Sequence, residues 1–398
     1  MKPKLILLVI IAALALGIAF RAQADSYTFT KIADSSGPLS CCLGAPVLND
    51  HGTAAFWGGY DGGGEGIFAG SGGALTTIAD TRGTNGNYEF LRYSPSINTQ
   101  GDVALWATQR ETLQSGVYTG NGGAVNTLYD SSGSFRSFGS PVINDSGTVG
   151  FKAGFDNDSG VFKGDGGPAT TIAETGGDMR YMSPKPDINN QGTMAFKAEA
   201  HTWNYPPGWV DYEGIYTGSG GTVTNLADTR GEFAKLGDPS INNYGAVAFN
   251  ADLDSGGKGI FLGKNGQIVN LADLNDGFRF FGDASINDAE TVAFLAGLAQ
   301  GGEGVFVTSP DGTIQKVIGT GDTLFDRTVK ELCFFRGLNN NDEVAFLARL
   351  DDGECNVVVA KVPEPGTMML LFVGMCGLVM IRYRGQGIWH MGGAGRKA

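Results

Sequence analysis

The densest group of side chains able to hold a ligand is His201-Thr202-Trp203-Asn204-Tyr205-Pro206-Pro207-Gly208-Trp209-Val210-Asp211-Tyr212. Trp203, Tyr205, Trp209 and Tyr212 are rigid aromatics. Such rings stack on sugars or partner side chains at low entropic cost. The same residues could fold down as a compact loop that buries its own rings. Acids form a second set: Asp34, Asp80, Asp130, Glu174, Asp228 and Asp273 recur at regular intervals, and Gly319 breaks the series with Asp322 nearby. An Asp at a strand end closes an Asx turn; near a central channel, two acids could form an acid/base pair. Asp156-Asn157-Asp158 and Asp252-Leu253-Asp254 place oxygen ligands at alternate positions, which suits calcium. Neither has a full ligand set, so calcium is the one cofactor left open and no metal site is assigned. There is no H-E-x-x-H, G-x-S-x-G, P-loop or kinase set. Of three histidines, His51 lies in a turn and reads as a surface residue. No catalytic residue is assigned.

The elements that carry these residues follow from a repeat. Leu48-Asn49-Asp50-His51-Gly52-Thr53-Ala54-Ala55-Phe56 returns from Ile97, Ile143, Ile188, Ile241, Ile286 and Leu338. Its asparagines are Asn49, Asn98, Asn144, Asn189, Asn242, Asn287 and Asn339. A period of this length marks stacked supersecondary units. Each unit reads as four short strands: a, ending at Ile-Asn; b, Val-Ala-Phe; c, Gly-Ile-Phe; and d, ending in Ala-Asp. Asn-x-x-Gly makes the a–b turn, because Asn bonds its own backbone two residues on and Gly accepts the left-handed position. Gly52, Gly101, Gly147, Gly192 and Gly245 keep it; Glu290 and Asp342 replace it, where the turn must be altered or strained. Val247 and Phe249 share one face of strand b and Ala248 the other. Sheets apolar on both faces are sandwiched between neighbours, as in a β-propeller.

The seventh unit lacks a strand d, yet Tyr27-Thr28-Phe29-Thr30-Lys31-Ile32-Ala33-Asp34 is a strand d without a unit. Placed as the outer strand of the last blade, it closes a seven-bladed ring of four-stranded blades and protects sheet edges. Glycine, 64 of 398 residues, fits the many tight turns of such an all-β fold. Cys41, Cys42, Cys333 and Cys355 are an even set in an exported body, and no C-x-x-C spacing suggests zinc. At least one bridge at the closure is expected, Cys333 to Cys41 or Cys42, or Cys333 to Cys355.

The two ends are addresses. Lys2 and Lys4, the apolar run Leu5 to Phe20 and Ala22-Gln23-Ala24 form a secretory signal peptide, residues 1–24, cut by signal peptidase. At the other end Val362-Pro363-Glu364-Pro365-Gly366-Thr367 precedes the apolar run Met368 to Ile381, then Arg382 and Arg384. The arginines hold the run with its basic end cytoplasmic. Residues 362–384 resemble the PEP-CTERM sorting signal of Gram-negative bacteria, with a 385–398 cytoplasmic tail beyond. The resemblance implies a C-terminal transmembrane helix, transient residence in the inner membrane, processing by an exosortase, and delivery to the cell surface or extracellular matrix. Two departures from the family pattern are the short apolar run and the tail after the arginines. The repeated phrase over residues 25–361 resembles the NxxGxxAF tandem-repeat surface proteins, although Leu105 stands where the other units have Phe. That label implies export and display, with no known activity.

Residues 25–364 carry all 41 acidic residues against 21 of the 28 basic ones. Such a body repels phosphate backbones, so nucleic acid is excluded as a partner. The expectation is a secreted, non-enzymatic surface or matrix protein that presents propeller loops to extracellular polysaccharide or surface proteins. An extracellular propeller glycosidase or polysaccharide lyase, and a purely structural spacer, are the alternatives.

Overall fold

The computed structural model describes residues 27–361, apart from residues 84, 92–93 and 205–207. The expected signal helix, the sorting signal with its transmembrane helix and the tail lie outside the described residues. Among the described residues no helix is long and apolar enough to cross a membrane. Phe29–Lys361 is one compact unit. It is all-β: seven antiparallel sheets, each holding strands a to d in order, form a seven-bladed propeller.

Blade five shows the pattern. Strand a comes in two pieces, Phe233–Leu236 and Ser240–Ile241, both paired with strand b, Val247–Leu253. Strand c is Lys258–Lys264 and strand d Gln267–Asp273. Strand b is buried on both faces, as its composition requires: Val247, Ala248 and Phe249 are fully covered. The apolar clusters lie between blades rather than within them. Ala195 and Ile215 of blade four, for example, pack with Phe233, Leu236, Phe249 and Phe261 of blade five.

The glycine before each Ile-Phe or Val-Tyr pair has a steric cause. In blade one the pairing of strands c and d shifts register between Ile67 and Phe68, and such a bulge bends and twists the strand. The Phe68 ring then folds back over Gly66, where a Cβ would stand 2.7 Å from Phe68 Cζ. Blades two to six repeat the shift at the same place. In blade seven Val358 takes the place of the aromatic, paired with Phe346, and the glycine position holds Asn356.

The repeated asparagines build a ring. Each side-chain amide donates to the backbone carbonyl of the next blade's asparagine, from Asn49 to Asn98 (2.9 Å) around to Asn287 to Asn339 (3.2 Å). Asn339 then donates to Asn49 (3.0 Å) and completes the circle. Each Oδ1 meanwhile accepts backbone N–H groups of its own a–b turn; Asn242 accepts from Tyr244 (3.0 Å) and Ala246 (2.9 Å). All seven are 3–5 % exposed. Glu290 and Asp342 adopt φ of 62° and 56°. The turn is therefore retained and strained, not altered.

Closure occurs as expected from the orphan strand. Thr28–Asp34 hydrogen-bonds along Cys355–Lys361 as the outer strand of blade seven. Lys31 Nζ lies 3.0 Å from both Asp34 and Glu354. Ile32, Leu39 and Phe56 share an apolar cluster with Leu347, Val357 and Val359 of blade seven. The disulfide differs from the expectation. It joins Cys41 to Cys355, with Cα atoms 5.1 Å apart, while Cys42 and Cys333 are free and exposed. The reason is packing: the strand Leu39–Leu43 lies against Cys355 in the blade-one/blade-seven cluster, whereas Cys333 ends the inner strand and pairs with Leu347. Alternation points Cys41 and Cys42 to opposite faces, so only one can reach.

Candidate binding face

In each blade the d–a connections and b–c hairpins lie on one face of the disc, and the asparagine turns on the other. The axial channel is filled between them by Leu48, Ile97, Ile143, Ile188, Ile241, Ile286 and Leu338. On the asparagine side it leaves a cavity of about 150 Å³, rimmed by a second ring of amides, carboxylates and Thr99. Backbone N–H groups bond across that ring, as Asn243 to Asp288 (2.9 Å) and Asn340 to Asp50 (2.9 Å). Asp145 is there pushed up by burial, but hydrogen bonds from Thr99 and Asn190 outweigh this and hold its carboxyl below the usual range.

On the b–c side the channel is stoppered from blade seven. Arg336, at φ 47°, bonds the carbonyls of Lys185 and Pro239 (3.2 Å each) and lies 3.5 Å from Asp187. Lys185 in turn lies 3.0 Å from Asp283 and 3.7 Å from Asp238. These residues did not emerge from the repeat. The available signal was Phe334-Phe335-Arg336-Gly337, where five other units place a proline: Pro46, Pro95, Pro141, Pro186 and Pro239.

The aromatic segment of the fourth unit is not a loop, as its prolines suggest, but a long hairpin. Strands b and c run Met194–Asn204 and Gly208–Gly218, eleven residues each against seven in blades three and five. The alternation of Glu199, His201 and Trp203 against Ala198, Ala200 and Thr202 was the signal for this. Trp203 and Trp209 are direct cross-strand partners. Their rings meet edge to face, 5.3 Å apart, and the His201 ring lies 4.3 Å from Trp209. Both indoles stay open to solvent, 58 % and 59 % exposed, so they do not pack down on the rim. Tyr212 sits on the other face of the hairpin under the Arg230 guanidinium, 4.1 Å from the ring centroid. Tyr205 lies outside the described residues.

A cleft of about 350 Å³, lined by Arg180, Tyr181, Glu199, Asp211 and Glu213 among others, begins further down the hairpin, at Asp211 opposite His201; the indoles themselves do not line it. Arg180 pairs with Asp211 at 3.0 Å. Glu213 accepts the Leu236 N–H of blade five (2.9 Å), and Lys197 donates to the Leu236 carbonyl (3.0 Å). The face carrying Glu199, His201, Trp203, Trp209, Asp211 and Glu213 is therefore the blade-five side.

The recurrent acids act locally. Asp34, Asp80, Asp130, Asp228 and Asp273 each accept the backbone N–H two residues on. Asp322 accepts from Gly319 (2.7 Å). Asp252 pairs with Lys258 (2.6 Å) and Asp158 accepts from Thr175 (3.2 Å). Among the described residues no group of three or more His, Cys, Asp or Glu side chains is placed to hold a metal.

A family model described as a family of unknown function (DUF7453) matches residues 28–369. The chain belongs to that family. In this DUF7453 chain the PEP-CTERM protein-sorting motif matches residues 361–384. The motif implies export, membrane-associated processing and the action of an exosortase in a Gram-negative bacterium. No curated protein matches the chain in sequence. The β-propeller domain of the Trilobed protease from Pyrococcus furiosus, reported with an open velcro topology, is similar with a TM-score of 0.55 and 13% identity, over 80% of this chain and 92% of that one. At that identity the likeness is one of fold. Prolyl oligopeptidase B from Galerina marginata has a TM-score of 0.48 at 10% identity, over 82% of this chain and 48% of that one.

Proposed function

We propose that this protein is a secreted, exosortase-processed, non-enzymatic propeller of the cell surface or extracellular matrix, and that it holds polysaccharide or a surface protein on its b–c face. The carrying observation is the exposed Trp203–Trp209 pair on a hairpin longer than its counterparts in blades three and five. Soluble proteins expose contiguous large apolar groups mainly where something binds. The repeated phrase fits membership of the NxxGxxAF surface proteins as well. The exposed indoles weigh against a plain spacer, which would bury them. Asp34 and Asp228 are held below the ordinary carboxylate range: burial raises Asp34 but Ser36 and Lys31 outweigh it, and the Arg230 hydrogen bond dominates at Asp228. A general acid for glycoside cleavage needs the opposite displacement, so neither of these two carboxyls is suited to that role.

The test is retention of the exported chain on its host's surface fraction. Wild type should stay with that fraction, and Trp203→Ala/Trp209→Ala should be released into the medium about tenfold more. Equal retention of both would overturn the role of this face.

A further inference from the structure

We infer that the cleft beneath Trp203 and Trp209 is a glycan subsite for an uncharged polysaccharide chain, resting on the reading of this face as a binding face. The indoles supply apolar faces. They stand nearly perpendicular to one another (77°) and more than half exposed, so a sugar ring can lie against one while the other closes its edge. Tyr181, 46 % exposed, adds a third ring at the cleft wall. Asp211 lies two residues from Trp209 on the same face of the strand, a rise of about 7 Å.

The polar wall fits hydroxyl groups. Sugar hydroxyls both donate and accept. Arg180 offers donors; Asp211 and Glu199 offer acceptors, and the Arg180–Asp211 pair is 58 % and 70 % exposed, so its remaining sites face solvent. The cleft's volume of about 350 Å³ lies in the range of small-ligand sites.

Charge selects among polymers. Three carboxylates, Glu199, Asp211 and Glu213, line the cleft; Arg180 pairs with Asp211 and Lys197 lies 3.8 Å from Glu213, which leaves a surplus of one negative charge. The surrounding body carries the acidic surplus described above. A uronate or sulfated polymer meets like charge here. A protein partner is disfavoured for another reason. A standard interface buries about 800 Å² per partner around an apolar core, whereas these aromatics form a narrow strip flanked by ionised groups.

The experiment is affinity electrophoresis of the full chain in mild detergent, through gels containing barley β-glucan, galactomannan, alginate or chitosan. A neutral polymer should retard the wild type, with little change between low salt and 0.5 M NaCl. Trp203→Ala/Trp209→Ala and Tyr181→Ala should each weaken retardation about tenfold or more while keeping the wild-type melting temperature. Retardation only by alginate or only by chitosan overturns the inference, as does retardation by neutral polymers that both variants retain. No retardation by any polymer, together with tryptophan-dependent retention on the host surface, overturns the glycan assignment alone and leaves the binding face standing with a protein partner.

Discussion

Asn242 shows how one residue type specifies this molecule. Its Oδ1 closes the a–b turn and its amide reaches the Asn287 carbonyl (3.0 Å), so one side chain joins local and long-range structure. Truncation leaves the buried Ala246 N–H without a partner and frees the half-buried Tyr244 N–H, while the Asn287 carbonyl keeps only the Glu290 N–H. Asn242→Ala should therefore lower stability by about 2–3 kcal/mol, read from denaturant midpoints at unchanged slope. An exposed Asn of another turn, such as Asn341, should cost far less. Glu290 presents the converse case. It occupies a left-handed position that costs a non-glycine residue about 1–2 kcal/mol, offset in part by its ion pair with Lys264, a half-exposed contact of at most about 1 kcal/mol. Glu290→Gly is expected to leave stability equal or raise it by about 0.5–1 kcal/mol; a clear loss in thermal melts would show that the ion pair outweighs the strain.

At the scale of the strand, the glycine and the aromatic two residues on are one device. Gly66→Ala drives a methyl into the Phe68 ring and should cost about 1–3 kcal/mol. Phe68→Val alone leaves a cavity. Together the two changes should cost less than their sum by about 1 kcal/mol or more, which a double-mutant cycle measures. Blade seven already carries the relieved combination, Asn356 with Val358. Additive losses would mean that the glycine serves the Ala79 carbonyl contact rather than the ring. The fourth-unit hairpin belongs to this scale too. Its strands follow from alternation, but Pro206 and Pro207 in the connection masked that alternation as a loop.

Over the whole molecule, stability depends on closing a ring whose ends are far apart in sequence. The N-terminal strand, the asparagine circle, the apolar cluster shared by blades one and seven and the Cys41–Cys355 bridge all cross the same seam. The bridge spans 314 residues, so the model of unfolded-state entropy assigns it a large effect, about 2–5 kcal/mol. Cys41→Ser should lower the unfolding midpoint accordingly, and amide exchange in residues 28–34 should rise before exchange elsewhere. Cys42→Ser should do neither. Alkylation without reductant should label Cys42 and Cys333 and spare Cys41 and Cys355.

The sequence by itself determined the all-β class, the seven units, the Asn-x-x-Gly turns and the donor strand for blade seven. These are periodic and local, so a single unit read seven times carries them. It also exposed the sorting motif, whose residues act as a linear signal. Tertiary structure alone decided what depends on neighbours across blades. The disulfide partner of Cys41 was set by which strand packs on Leu39–Leu43, not by position along the chain. Asp34, Asp80, Asp130, Asp228 and Asp273 were consumed by their own turns, a choice their spacing left open. Arg336 reached blades four and five because the ring brings opposite walls within a side chain's length. The exposure of Trp203 and Trp209, on which the binding face rests, is a property of where the hairpin points. Strand periodicity fixes which residues share a face, but only the assembled ring decides whether that face meets protein or water.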